Sequence, residues 1–319
     1  MFWTREEVAL PGHITIAQRS EIIEEFSELN PNGAIVICGG EALMNPERYW
    51  PVTKQCRDLG LQCLSVMNGT MVTGHAMAEK LILEGPSEIT ISLNSHVPNV
   101  HDYTRGVAGS YDMAVNAIRL LLEARNRTTS PVRIYAMAIL CEQNYRDLDQ
   151  FYEFVLNDLK ADKLKLNFLQ PMFGALKNDS HEDRGDKFYK RNIIKDFDGL
   201  FKIMEVCGIK FNLNLDPEWM EIVRMYHRSV HTNDDAILGW QGKGTEKLIC
   251  NSFERNIMID MEGVARLCFS TKFPGTKINN HGDLKKFWSD NDELRGLMAK
   301  CSQYCGISHS VRKVNATKK

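Results

Sequence analysis

Four thiols crowd the last 70 residues of this 319-residue chain: Cys250, Cys268, Cys301 and Cys305, spaced C-x17-C-x32-C-x3-C. Cys250 and Cys268 flank Ile257–Leu267, where apolar runs on either side of Met261-Glu262-Gly263 predict a β-hairpin, Gly263 supplying the positive φ. The two thiols would then emerge together at the open end of the hairpin. Segments His281–Trp288 and Asp292–Lys300 read as helices that carry Cys301 and Cys305 back toward the first pair. On ligand softness alone, four thiolates suit zinc and an iron–sulfur cluster equally. The first pair is too far apart for a zinc knuckle, whose ligands lie two to four residues from each other. The other five cysteines, Cys38, Cys56, Cys63, Cys141 and Cys207, stand alone in apolar segments and are expected to be small buried side chains.

A second chemical feature sits near the start. The apolar run Ala34-Ile35-Val36-Ile37-Cys38 enters Gly39-Gly40-Glu41, and Asn45-Pro46 then begins a helix. Paired glycines at a strand end let a ligand approach the backbone, because no Cβ intervenes. A carboxylate beside exposed carbonyls can accept hydrogen bonds from an ammonium group.

The elements that must position these residues alternate. Thr15-Ile16-Ala17-Gln18 predicts a capping box, followed by an apolar helical face of Ile16, Ile22, Ile23, Phe26 and Leu29. Strands are expected at 34–38, 61–67, 87–93, 131–140, 163–169 and 210–215. Helices are expected at 46–59, 71–84, 111–125 (capped by Ser110), 145–157 and about 187–206. Such alternation predicts right-handed βαβ units and a parallel sheet. Asp216-Pro217 reads as a helix cap with proline at the first helical position. Residues 231–247, with glycines around Trp240, read as a loop, and Glu142 begins a turn after a strand.

Four segments in series carry a resemblance. Ile37-Cys38-Gly39-Gly40-Glu41-Ala42-Leu43-Met44-Asn45-Pro46-Glu47 resembles the GGE-P-L-L-x-P segment of radical S-adenosylmethionine (SAM) enzymes, with Ala42 replacing the usual proline. Val66-Met67-Asn68-Gly69-Thr70 resembles their T-N-G-T, and Ile91-Ser92-Leu93-Asn94 their I-S-L-D, with Asn94 where aspartate is common. His101-Asp102-Tyr103-Thr104-Arg105-Gly106 is similar to the H-D-x-x-R-G that follows. The resemblance implies an α/β fold, a partial (β/α)6 TIM-like barrel whose site lies at the C-terminal ends of its strands. It implies that Gly39, Gly40 and Glu41 meet the amino group of SAM, that Asn68 belongs to the same rim, and that Arg105 approaches the SAM carboxylate. Ser92 and Asn94 share one side of a strand by period-two spacing and are placed to bond ribose hydroxyls. The hairpin, the His-Gly-Asp-Leu helix and the closing cysteine pair resemble the SPASM and twitch auxiliary domains. That likeness implies one [4Fe–4S] cluster on Cys250, Cys268, Cys301 and Cys305. The expected division is a radical SAM-like partial barrel over 1–230 and an auxiliary-cluster domain over 231–319.

The family's C-x-x-x-C-x-x-C motif, which belongs after the first barrel strand, does not occur in this sequence. Both that motif and the first strand are expected to lie ahead of Met1, so the sequence reads as a truncated form of a radical SAM oxidoreductase or peptide- or small-molecule-modifying enzyme. The alternative is a binding module of the same fold without radical chemistry. The resemblance implies a flavodoxin or ferredoxin as electron donor. Net charge is −2, with no basic field for a nucleic-acid backbone, and Arg312, Lys313, Lys318 and Lys319 read as a frayed tail. No apolar run reaches the roughly 20 residues that span a bilayer, and no secretory apolar core opens the chain, so a cytoplasmic protein is expected.

Overall fold

Thr15 starts the first helix through the reciprocal bonds its sequence predicts. Its Oγ1 accepts from Gln18 N–H at 3.1 Å, and Gln18 Oε1 accepts from Thr15 N–H at 2.9 Å. The structure is a computed structural model that describes residues 12–169, 188–189, 191–213, 215–232, 246–268, 273–301 and 311–315. The chain divides into two compact units. The first holds the described residues up to Ile139 with Gln150–Asn167 and Asn279–Lys285; the second holds Leu140–Asp149, Phe168–Ile278 and Lys286 onward.

In order, the elements are α1 (Ile16–Leu29), β1 (Ala34–Ile37), α2 (Pro46–Asp58), β2 (Gln62–Met67), α3 (His75–Glu84), β3 (Glu88–Ser92), α4 (Pro98–Arg105), α5 (Ser110–Thr128), β4 (Arg133–Leu140), α6 (Leu148–Glu153) and β5 (Lys163–Phe168). The five strands form one sheet in sequence order, with parallel registers such as Val36↔Leu64, Val66↔Thr90 and Thr90↔Tyr135. Crossover helices between successive parallel strands are what the alternating pattern demands.

Register separates the two faces of the sheet. Cys63 packs with Ile23, Val52, Cys56 and Leu61, and Ile35 and Ile37 lie against that cluster, so this face meets the helices. Ile89, Ile91, Leu93, Ile134, Ala136 and Ala138 fall on the same side by register and are buried. Burying each of the larger ones contributes about 1.5–3 kcal/mol. The opposite face carries Val36, Leu64, Val66, Glu88, Thr90, Ser92, Tyr135 and Met137. Val36 is 52% exposed there, so this face is open at β1. At the N-terminal ends of the strands the buried Glu88 carboxylate meets Lys165 Nζ and stands 3.4 Å from Arg133 Nη2. Lys165 also lies 4.6 Å over the Tyr135 ring. These bonds tie β3, β4 and β5 together at one end and leave the opposite rim for chemistry.

In the second unit, α7 (Phe197–Lys210) and α8 (Pro217–Thr232) precede β6 (Glu246–Cys250), α9 (Ser252–Arg255), β7 (Met258–Ile259), β8 (Val264–Arg266) and β9 (Thr276–Lys277). The hairpin predicted between Cys250 and Cys268 is β7–β8. Gly263 has φ +77°, and Asp260 Oδ1 accepts from the N–H groups of Glu262 and Val264. Helices α10 (Asp283–Ser289) and α11 (Asp292–Ala299) follow, and β10 (Val311–Asn315) pairs antiparallel with β6.

Several expectations are corrected. The strand expected at 210–215 does not form over the described residues 210–213 and 215. Helix α7 ends at Lys210, Asn212 takes φ +50°, and Leu213 N–H reaches back to Gly208 C=O at 2.9 Å, the closure of a left-handed helix cap. Alternating asparagines gave that cap the look of a strand. Arg312 and Lys313 belong to β10 rather than to a frayed tail. In the 231–247 segment read as a loop, 231–232 end α8 and 246–247 begin β6; 233–245 lie outside the described residues. Cys38 is exposed, not buried, because it continues the open face of β1. Helix α4 was not foreseen, although Pro98 stands at its first turn.

Candidate functional site

Strand ends β1 and β2 are joined through Glu41. Its side chain is 1% exposed, and Oε2 accepts from Asn68 N–H at 2.7 Å. Asn68 uses its own Oδ1 to accept from the N–H and hydroxyl of Thr70, both at 2.7 Å, which fixes the turn around Gly69. Gly39 and Gly40 have φ +94° and +51°, and a Cβ built on Gly39 would meet nothing within 4 Å. The backbone there lies bare to an incoming ligand, as a cradle for an ammonium group requires.

Arg105 ends α4 and is buried. Burial works against its positive charge, and the Glu41 carboxylate works to retain it. Tyr49, on α2, is held protonated mainly by burial, with Ser65 beside its hydroxyl and Glu41 close enough to oppose ionisation further. One buried carboxylate is therefore felt from α2 and α4 while it bonds β2. A ligand ammonium here would meet a fixed negative charge whose surroundings are already ordered.

The rim at β3 is equally knit. Asn94 Oδ1 accepts from Ile139 N–H at 3.1 Å, and its Nδ2 donates to Thr104 Oγ1 at 2.9 Å. His101 Nδ1 accepts from Asn94 N–H at 3.0 Å, so that nitrogen carries no proton. Burial first, and the Arg105 charge second, push the His101 pKa down to about 4. Asp102 caps the next helix, accepting from Gly109 N–H at 2.6 Å, Ser110 Oγ at 2.9 Å and Tyr111 N–H at 2.8 Å. Partial burial opposes its ionisation, yet these bonds hold its pKa below the usual value. Ser92 is buried on the open-face side of β3.

The first unit thus gathers Gly39, Gly40, Glu41, Asn68, Ser92, Asn94 and Arg105 at the C-terminal ends of β1, β2 and β3. Asn94 takes up protein hydrogen bonds with both ends of its amide. Sequence reading missed the roles of His101, Thr104 and Tyr49. A histidine seven residues after the strand's Asn94, beside a helix-opening proline, was the available signal for the first.

In the second unit, Asp216 Oδ1 caps α8 by accepting from Glu218 N–H at 2.9 Å. Glu142 pairs with Arg146 at 2.7 Å and accepts from Lys195 N–H at 3.2 Å. Cys250 ends β6, and its Sγ accepts from Ser252 N–H at 3.4 Å. Ser252 Oγ donates to Leu267 C=O at 3.1 Å, which draws the segments bearing Cys250 and Cys268 together. Cys301 follows α11, which packs on β6. Among the described residues no group of three His, Cys, Asp or Glu side chains stands where it could hold a metal ion; Cys305 lies outside them.

Comparisons with known proteins bear on this arrangement. The chain is 29% identical over 114 residues to an AdoMet-dependent heme synthase of Oleidesulfovibrio alaskensis, covering 36% of this chain and 29% of that protein. It is 27% identical over 114 residues to that of Nitratidesulfovibrio vulgaris, covering 36% and 30%. The match therefore spans less than a third of the length of these relatives. Native anSMEcpe with bound AdoMet superposes with a TM-score of 0.58 at 13% identity, covering 90% of this chain and 74% of that one, which shows a shared fold. The family model described as Radical SAM superfamily matches residues 3–155, just under half of the chain.

Proposed function

We propose that the chain is the SAM-binding and substrate-holding part of a radical SAM enzyme. The observation that carries this reading is the buried Glu41 carboxylate, bonded to Asn68 N–H beside two positive-φ glycines with open space above Gly39. In this reading Glu41 and the Gly39–Gly40 backbone take the SAM ammonium. Arg105 faces its carboxylate, and Ser92, with the rim held by Asn94, meets the ribose. A [4Fe–4S] cluster bound by three further thiolates would give an electron to the SAM sulfonium, releasing a 5′-deoxyadenosyl radical that removes hydrogen from substrate.

The four C-terminal cysteines are proposed to hold one auxiliary [4Fe–4S] cluster in a twitch-like domain, with zinc as the competing occupant. The Ser252 N–H bond to Cys250 Sγ favours a thiolate there. The reading takes the protein as cytoplasmic, reduced by a flavodoxin or ferredoxin, and acting on a peptide or small molecule. Relatives named for heme synthesis match too small a share of their length to choose among substrates.

Equilibrium dialysis with labelled SAM tests the cofactor reading. Micromolar binding, competed by S-adenosylhomocysteine, is expected; no measurable binding at millimolar SAM would end it. Anaerobic reconstitution followed by assay for 5′-deoxyadenosine tests for radical chemistry. Nucleoside release marks a radical enzyme, and bound SAM with about four irons and no release marks a binding module or an enzyme truncated before its SAM-cleaving cluster.

A further inference from the structure

We propose that the groove between α1 and α2 is a second ligand site, which takes a small molecule bearing a phosphate or carboxylate group on an apolar body. The groove has a volume of about 360 Å³ and is lined by Ile16, Arg19, Arg48, Pro51, Val52 and Gln55 among others. Its position is set by the pairing of the two helices, which run side by side in the same direction. Arg19 Nη1 donates to Arg48 C=O at 3.3 Å near their N-terminal ends, and Gln55 Nε2 donates to Ser20 C=O at 2.9 Å further along.

Three independent features place positive potential at one end. Two guanidinium groups line it together, and each is only half-exposed. Arg48 Nη1 is buried without a hydrogen bond among the described residues, so the protein leaves that charge incompletely compensated. Both helices, of 14 and 13 residues, begin there, adding the positive ends of their dipoles. Burial first, and the Arg48 charge second, lower the Arg19 pKa, which places the two cations close together.

The acidic residues of the groove lie toward the other end and are engaged. Glu24 Oε1 accepts from Gln55 Nε2 at 3.3 Å, and Asp58 pairs with Lys54 at 2.5 Å. Ile16, Pro51 and Val52 supply an apolar wall next to the arginines. An oxyanion opposite two guanidinium forks, with a hydrophobic body against that wall, satisfies both halves.

The full chain can be titrated calorimetrically with 1-naphthyl phosphate, 1-naphthoate, inorganic phosphate and 1-naphthol. Binding of a naphthyl anion, weaker binding of inorganic phosphate and none of 1-naphthol is expected. The stronger of the two naphthyl anions identifies phosphate or carboxylate as the natural head group. Arg19→Gln and Arg48→Gln should each weaken binding by about tenfold, the loss of one charge-assisted contact. Lys202→Gln, an exposed lysine outside the groove, should leave it unchanged. On the unaltered chain, the ligand should protect Arg19 and Arg48 from phenylglyoxal in peptide maps, a readout that does not depend on variant folding. Equal binding of 1-naphthol, or anion binding that neither arginine variant weakens and that protects neither arginine, would overturn the site. SAM binding at the strand ends is measured separately and is unaffected by either result.

Discussion

The rim of the parallel sheet and the cysteine segment are built by opposite strategies. At the rim, side chains from different elements are tied to one another: Glu41 to Asn68, Asn94 to Ile139 and Thr104, His101 to Asn94. Those bonds are encoded in the chain and hold the site's shape before any ligand arrives. In the cysteine segment the local hairpin is ordered by Asp260, Gly263 and Arg266, but the described thiols do not converge on a metal-holding arrangement. Chain-encoded bonds can pre-form a site for an organic ligand. Thiolate cages are commonly closed by the metal itself, because binding and folding are one equilibrium.

That contrast is broken or sharpened most strongly by metal loading. Anaerobic reconstitution should give about four irons per chain, the content of one [4Fe–4S] cluster. Cys250→Ala and Cys268→Ala should each remove nearly all of it while leaving SAM binding within twofold. Iron retained in both variants, counted by ferrozine, would mean that these thiols hold no cluster.

Next in size is the acid limb of the rim. His101 has a folded pKa of about 4 against an ordinary 6.5, so the unfolded chain takes up the proton first as pH falls. Stability from this group is complete above pH 6.5 and is lost progressively between 6.5 and 4. The loss totals about 3 kcal/mol. Protonation also removes the acceptor for Asn94 N–H, so the tip of β3 should loosen over the same range. Urea midpoints at pH 7.5, 6 and 5 measure it, and His101→Gln should flatten the slope. An unchanged slope would assign the acid loss elsewhere.

Glu41→Gln probes the charge alone, because the glutamine oxygen can still accept from Asn68 N–H. Losing a charge-assisted bond of about 1.5–3 kcal/mol should weaken SAM by roughly 10- to 100-fold. Adenosine, which has no ammonium group, should bind both forms equally. A parallel loss for adenosine would show that the substitution has disturbed the rim rather than one contact.

Much of the rim was legible in the sequence because its requirements are local. Glycine pairs at a strand end and the period-two pair Ser92 and Asn94 each follow from neighbours in the chain. The capping box at Thr15 did so too. What escaped reading was non-local. The pairing of β10 with β6 joins segments some sixty residues apart, and no pattern within residues 311–315 names its partner. The false strand at 210–215 failed for the converse reason. Alternation there was real, but Asn212 in a left-handed conformation had already ended the helix. Cys38 was misplaced because an apolar run does not tell which face of an edge strand is covered.

The smallest expected effect separates ligand contact from backbone strain. Gly39 and Gly60 share a positive φ, +94° and +71°, and open space where a Cβ would stand. Gly60 follows α2 at the end away from the rim. Alanine at either position should therefore cost a similar 1–2 kcal/mol from conformation alone, read as equal shifts in urea midpoint. Only Gly39→Ala puts a methyl group over the backbone proposed to meet the SAM ammonium, so only that variant should also weaken SAM, by several-fold beyond its loss of stability. Equal SAM affinity in the two variants would move the ligand away from the Gly-Gly-Glu turn, leaving its glycines with a purely conformational purpose.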